Sequence, residues 1–160
     1  MNGEIESLSR YLRIKINEAL AAGEGLSEVD LNRAPPVPGA NSAFVIATHV
    51  LGNMRAFVLG IACGREMRRD RPAEFRSRGT HAELRAAGRA LSREIETALA
   101  GLEAATLDDR FVPAQELYGE GETHEMSRRE ALLHPLEHAA IHLGRILLTA
   151  DLLRSPAGAA

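Results

Sequence analysis

The sequence predicts an all-α fold, a four-helix bundle with one long crossover connection, and three observations carry that prediction. Four segments repeat apolar residues at the spacing of a helix, two of these open on a Ser/Thr-x-x-Glu signature, and no segment reads as a convincing strand. At 160 residues the chain suits one domain with one core, residues 1–154, followed by a tail of small residues, 155–160, that is expected to fray. Its 45% hydrophobic and 26% charged composition is that of an ordinary globular protein. The net charge of −3 gives no basis for non-specific nucleic-acid binding. A single cysteine, Cys63, excludes an intramolecular disulfide and suits a reducing compartment. The first residues lack a basic stretch followed by an apolar one, so no signal peptide is expected. The best candidate for a membrane span has Arg55 in its middle. A soluble cytoplasmic protein that makes no membrane contact is the expectation.

The first helix is predicted over residues 5–22, where Ile5, Leu8, Leu12, Ile16, Ala19 and Leu20 form a stripe that Gly23 and Gly25 end. Residues 24–40 hold Pro35, Pro36 and Pro38 and cannot form a continuous helix. That length lets the chain cross the bundle instead of reversing at once, with room for one helical turn near Ser27. Asn41 or Ser42 caps the second helix, predicted to run to residue 63. Phe44, Val45, Ile46, Val50, Leu51, Met54, Phe57, Val58 and Ile61 make it apolar nearly all round, which places it at the centre of the fold. It carries His49, with Val45, Gly52, Asn53 and Ala56 leaving room beside the imidazole.

After Gly64 the chain turns polar, and interleaved arginines and acids read as a solvated, self-paired connection. Thr80 and Glu83 open a third helix expected to reach residue 105, with His81 exposed in its first turn. Residues 106–126 have no helical period and read as a surface loop, with a pocket wall as the second choice. Ser127 and Glu130 open a fourth helix to about residue 153, and Pro135 within it is expected to bend it. Cys63 reads as a buried structural thiol.

Function gathers on the fourth helix, where His134, His138 and His142 fall four residues apart within an apolar run. Residues i and i+4 share a helix face, so a pair such as His138 and His142 can direct two imidazoles at one ion. All three cannot, because His134 and His142 lie roughly 12 Å apart along the axis at 1.5 Å per residue. The third ligand must come from another helix, and His49 supplies it. Taken alone, His49 reads as a core histidine bonded to a carbonyl; beside the pair, the ligand reading overtakes that one. Three neutral imidazoles suit a divalent ion, with zinc or nickel favoured, and leave coordination positions open. Such an ion lowers the pKa of bound water to about 7 or activates a thiolate. The pattern is not H-E-x-x-H, since Ala139 follows His138 and the glutamate base of that motif is missing. Glu137 points about 100° away from His138 around the helix, and no catalytic residue is assigned.

The segments Ala47-Thr48-His49-Val50-Leu51, Arg69-Asp70-Arg71-Pro72-Ala73-Glu74-Phe75, and the run from Leu133 to Arg145 with its H-x-x-x-H resemble the DinB/YfiT-like family of metal-dependent bundles. The order of elements matches over nearly the whole chain. The resemblance implies a divalent ion held by His49, His138 and His142. It also implies activities such as thiol-dependent S-transfer, a low-molecular-weight thiol as partner, and a homodimer; hydrolysis of a small molecule is the other reaction expected of an open metal site. Where the family often has glutamine after the glycine that follows the pair, this chain has Arg145, a cation that disfavours the ion or prepares the pocket for an anion. The rival reading is a non-catalytic interaction or stress-related bundle whose histidines only pack and hydrogen-bond.

Overall fold

The computed structural model describes residues 2–154, so the tail expected to fray lies outside the described residues. Helix α1 (Gly3–Ala21) starts where the Asn2 side chain accepts the Glu4 N–H, and it buries Ile5, Leu8, Leu12, Ile16 and Ala19. Ser27 caps a one-turn helix, α2 (Glu28–Leu31), within the crossover. Ser42 caps α3 (Ala43–Met54) by accepting the Val45 N–H at 3.2 Å.

The second helix was expected to stay α-helical to residue 63, and it does not. From Arg55 to Ala62 the backbone is π-helical, closing with Cys63 N–H donating to the Val58 carbonyl. A π turn holds more residues than an α turn and shifts every later side chain around the axis. Ala56 through Ala62 are all buried, so this stretch meets core in any register and its sequence shows no change of period.

The polar connection holds α4 (Arg71–Glu74), where the Asp70 side chain accepts the Ala73 N–H. Helix α5 (His81–Ala100) has both arms of the Thr80–Glu83 capping box. It stops at Gly101, short of the expected residue 105, and a 3-10 turn, Ala104–Thr106, follows. Glycine is a poor helix former, and the chain leaves the helix at that residue. The long loop contains α6 (Gln115–Tyr118) and a two-stranded ladder that no sequence period announces. Strand β1 (Arg110–Phe111) pairs antiparallel with β2 (Met126–Ser127), Arg110 opposite Ser127 and Phe111 opposite Met126. Two residues are too few to display alternation. Helix α7 (Arg128–Arg154) begins with the second capping pair, Glu130 N–H to Ser127 Oγ at 3.1 Å and Ser127 N–H to the Glu130 carboxylate. It runs on through Pro135, which has no N–H to offer the Ala131 carbonyl.

Helix α1 packs chiefly on α5 and α7, while α3 and its π continuation pack chiefly on α7. The connection between α1 and α3 therefore carries the chain across an all-α bundle. The stretch Ala43–Ala62 is long and apolar enough to cross a membrane by length and composition, but 83% of its apolar window is buried by the other helices. Its apolar residues form the protein core, as an all-round apolar helix at the centre of a bundle must.

Candidate metal centre

Helix α3 brings His49 into the core, where it is only 5% exposed, and α7 sets His138 and His142 against it half-buried. One ring nitrogen from each of the three histidines can be chosen so that all lie within 4.8 Å of one another. The closest approach is His49 Nε2 to His138 Nε2, 3.1 Å. Ring centroids lie 4.8 Å apart for His49 and His138, 5.0 Å for His49 and His142, and 4.3 Å for His138 and His142. The three residues read from the sequence as one constellation are thus brought together.

His134 lies outside that group of nitrogens, with its ring centroid 5.9 Å from that of His138. It stacks on Phe57 at 4.0 Å with the rings 19° from parallel, and forms part of the cavity wall. Glu137 is exposed, and Arg145 is exposed at the cavity edge. His81, expected in solvent, is half-buried, with Nε2 2.9 Å from the Leu26 carbonyl. Cys63 is half-buried; burial pushes its thiol pKa up, against the nearby charges of Arg65 and Arg128, which suits a structural thiol.

Two residues of the site were missed. Glu74, at the end of α4, places Oε2 2.7 Å from His49 Nδ1, and both side chains are buried. Arg69 grips that carboxylate with two bonds, Nε to Oε1 at 2.8 Å and Nη2 to Oε2 at 3.0 Å, and its side chain is 5% exposed. The connection read as solvated is self-paired as expected but buried at this point, because α4 docks against α3. Gly52, one turn beyond His49, makes the docking possible: a Cβ there would stand 2.2 Å from Glu74 Oε1. The room foreseen beside the imidazole is filled by a carboxylate. The sequence signal was Gly52 itself, a hydrogen side chain in a helix of bulky residues.

Burial raises the Glu74 pKa, but hydrogen bonds from His49 and Arg69, with their charges, outweigh it and hold the carboxyl below its ordinary range. An ionised Glu74 is an acceptor only, so the His49 Nδ1 that faces it carries a proton, and Nε2 is the nitrogen turned toward the cluster. Burial, then the neighbouring imidazoles, lowers His138 to about 3; burial, then His49 and Arg145, lowers His142 to about 4. Both rings are neutral near pH 7, the form that binds metals.

The hydrogen-bond count tests whether an ion fits. Nδ1 of His138 and Nδ1 of His142 are buried without a hydrogen-bond partner among the described residues. If His138 donates its Nε2 proton to His49, its Nδ1 is left as a bare buried acceptor. Were His49 and His138 to hold a cation, each would offer it a lone pair, and His138 would carry its proton on Nδ1 instead. The donor set fits a divalent ion, with His49 oriented by a carboxylate as ligating histidines commonly are.

The cluster forms the floor of a cavity of about 740 Å³. Tyr118 and Glu120 from the long loop line it, so the loop is a pocket wall. Arg69, Arg71 and Arg145 line it too, with Phe57, Leu148 and Leu152 as apolar surface. Tyr118 is held by its hydroxyl, 3.1 Å from His124 Nδ1.

No curated protein matches this sequence. Residues 11–146 match the DinB superfamily, a span that contains all three histidines, Glu74 and Arg69. By that match the chain belongs to the DinB superfamily.

Proposed function

We propose that this protein binds one divalent metal ion through His49, His138 and His142 and uses it on a small molecule in the cavity, as a metal-dependent S-transferase or hydrolase. The observation that carries the reading is the convergence of three imidazoles within 4.8 Å at the floor of a cavity large enough for a small substrate. Zinc or nickel suits an all-imidazole set. When bound, the ion supplies Lewis acidity at positions that three protein ligands leave open.

The chain's own residues supply the rest. Glu74 fixes the tautomer and orientation of His49, and Arg69 fixes Glu74. Phe75 packs against His49 with ring centroids 4.8 Å apart. Among the described residues no carboxylate touches His138 or His142, so nothing there favours their protonated forms, and both stay available as ligands.

The test is metal content by mass spectrometry on protein purified without a histidine tag, beside the His138→Ala variant. About one ion per chain, lost in the variant, supports the reading. No metal in the wild type, and none taken up on adding zinc or nickel, overturns it in favour of a non-catalytic bundle with core histidines.

A further inference from the structure

Chemistry changes in order along the cavity. The lining residues contributed by α7 are His134, His138, His142, Arg145, Leu148, Thr149 and Leu152. At 1.5 Å per residue the wall presents imidazoles over roughly 12 Å, a guanidinium roughly 4.5 Å further on, and leucines roughly 4.5 and 10 Å beyond that. Arg145 has no hydrogen-bond or ion-pair partner among the described residues. Arg71 lines the same cavity from α4. Its guanidinium lies 4.8 Å over the Phe75 ring, and that ring lies 4.8 Å from His49.

Arg71 does have a partner, Glu120, at 2.7 Å, but the Glu120 side chain is 81% exposed. An exposed ion pair contributes little and is readily exchanged for another anion. Glu120 also sits between Gly119 and Gly121, whose φ angles of 101° and 84° are reached easily only by glycine. The far end of the cavity is apolar and wet: Val37, Leu148 and Leu152 are 50%, 59% and 40% exposed. An unpaired cation, a weakly held one and open apolar surface beyond them describe a ligand by complement.

We propose that the cavity binds a small amphiphilic organic anion, its anionic group held by Arg145 and Arg71 and its apolar tail laid along Leu148 and Leu152. The end that reacts then faces the imidazoles, and this last point alone rests on the metal reading above. Glu120 is the anion that the ligand displaces from Arg71.

The test uses the full chain, metal-free and zinc-loaded, titrated by NMR with hexanoate, its neutral counterpart hexanamide, and acetate. Hexanoate is expected to bind the metal-free protein about tenfold tighter than hexanamide, the scale of one charge-assisted contact. Arg145→Gln should remove that preference while zinc affinity is undiminished. Leu148→Asn should remove the preference for hexanoate over acetate. Arg145 and Leu148 are exposed, so both variants should fold. Equal affinity of wild type for hexanoate and hexanamide, or wild-type hexanoate affinity in Arg145→Gln, overturns the inference. Failure to take up zinc with the charge preference intact overturns the metal reading and leaves this one standing.

Discussion

The α1–α5 side of the bundle and the α3–α7 side are both made of long, well-capped helices, yet they bury different things. Between α1 and α5 the buried residues are nearly all apolar: Ile5, Leu8, Leu12 and Ile16 against Leu84, Leu91, Ile95 and Leu99, with Gly88 letting Leu20 and Ile16 approach. Charges on that side stay in solvent, as in the Arg13–Glu96 pair at 2.6 Å with side chains 40% and 57% exposed. The α3–α7 side buries His49, Asn53, Glu74 and Thr149 and leaves Asn53 Oδ1, His138 Nδ1 and His142 Nδ1 without partners. Each buried polar atom without a partner costs about 1–3 kcal/mol. A sequence selected for stability alone would fill that side with leucine. Both sides bury apolar core, but the α3–α7 side gives up part of that gain to hold polar groups.

Exchanging damage between the halves gives the largest expected effects. Leu12 is fully buried, and Leu12→Ala should destabilise the fold by about 2–5 kcal/mol in urea denaturation. Zinc affinity of the folded protein, read by calorimetry, should not change. His138→Ala should do the reverse, abolishing zinc uptake while costing less stability than Leu12→Ala, because the ring it removes carries an unpartnered buried nitrogen. If both variants lose affinity and stability together, the division into two halves is wrong.

A subtler contrast lies within the α3–α7 side, between the ligands and the groups that orient them. Glu74→Gln preserves shape but removes the charge that Arg69 grips, and replaces one of the two acceptor oxygens shared by Arg69 and His49 with an amide donor. Zinc affinity should fall about 10–100-fold without vanishing, as for other carboxylates behind ligating histidines. Gly52→Ala should act in the same direction through the same carboxylate, since its methyl would fall 2.2 Å from Glu74 Oε1. Wild-type affinity in both variants would detach Glu74 from the site.

That contrast also separates what the sequence makes legible from what it hides. The long helices announce themselves because each carries its own period and three carry caps read from adjacent residues: Ser42, the Thr80–Glu83 box and the Ser127–Glu130 pair. His138 and His142 are legible for the same local reason, a spacing of four on one helix, and they in turn make His49 legible. Glu74 is not, because its burial depends on α4 meeting Gly52 on a different helix, and nothing near Glu74 distinguishes it from the acids around it. The π turn at Arg55–Ala62 is hidden by uniformity, since a stretch buried on every side has no face from which to read a shift. The β1–β2 ladder is hidden by brevity.

The smallest expected effect concerns protons, and it separates the halves without any metal. His138 and His142, with folded pKa values of about 3 and 4 against an ordinary 6.5, bind fewer protons in the folded than in the unfolded chain as pH falls below 6.5. Stability therefore rises with pH across that window; their contribution is complete above about pH 7 and is lost as pH falls toward 4. Glu74, also lowered, works in the same direction at the acid end, and the surface carboxylates of α1 and α5 are common to every variant. A difference between proteins isolates the ring: metal-free wild type should lose more melting temperature between pH 7 and pH 4.5 than metal-free His138→Asn does. The rings are half-buried and partly screened by solvent, so the gap should be on the order of 1 kcal/mol, about 2–4 °C for a chain of this size. Parallel melting curves for the two proteins would mean that His138 is solvated in the folded chain, and would remove the physical reason for expecting it neutral and ready for a metal.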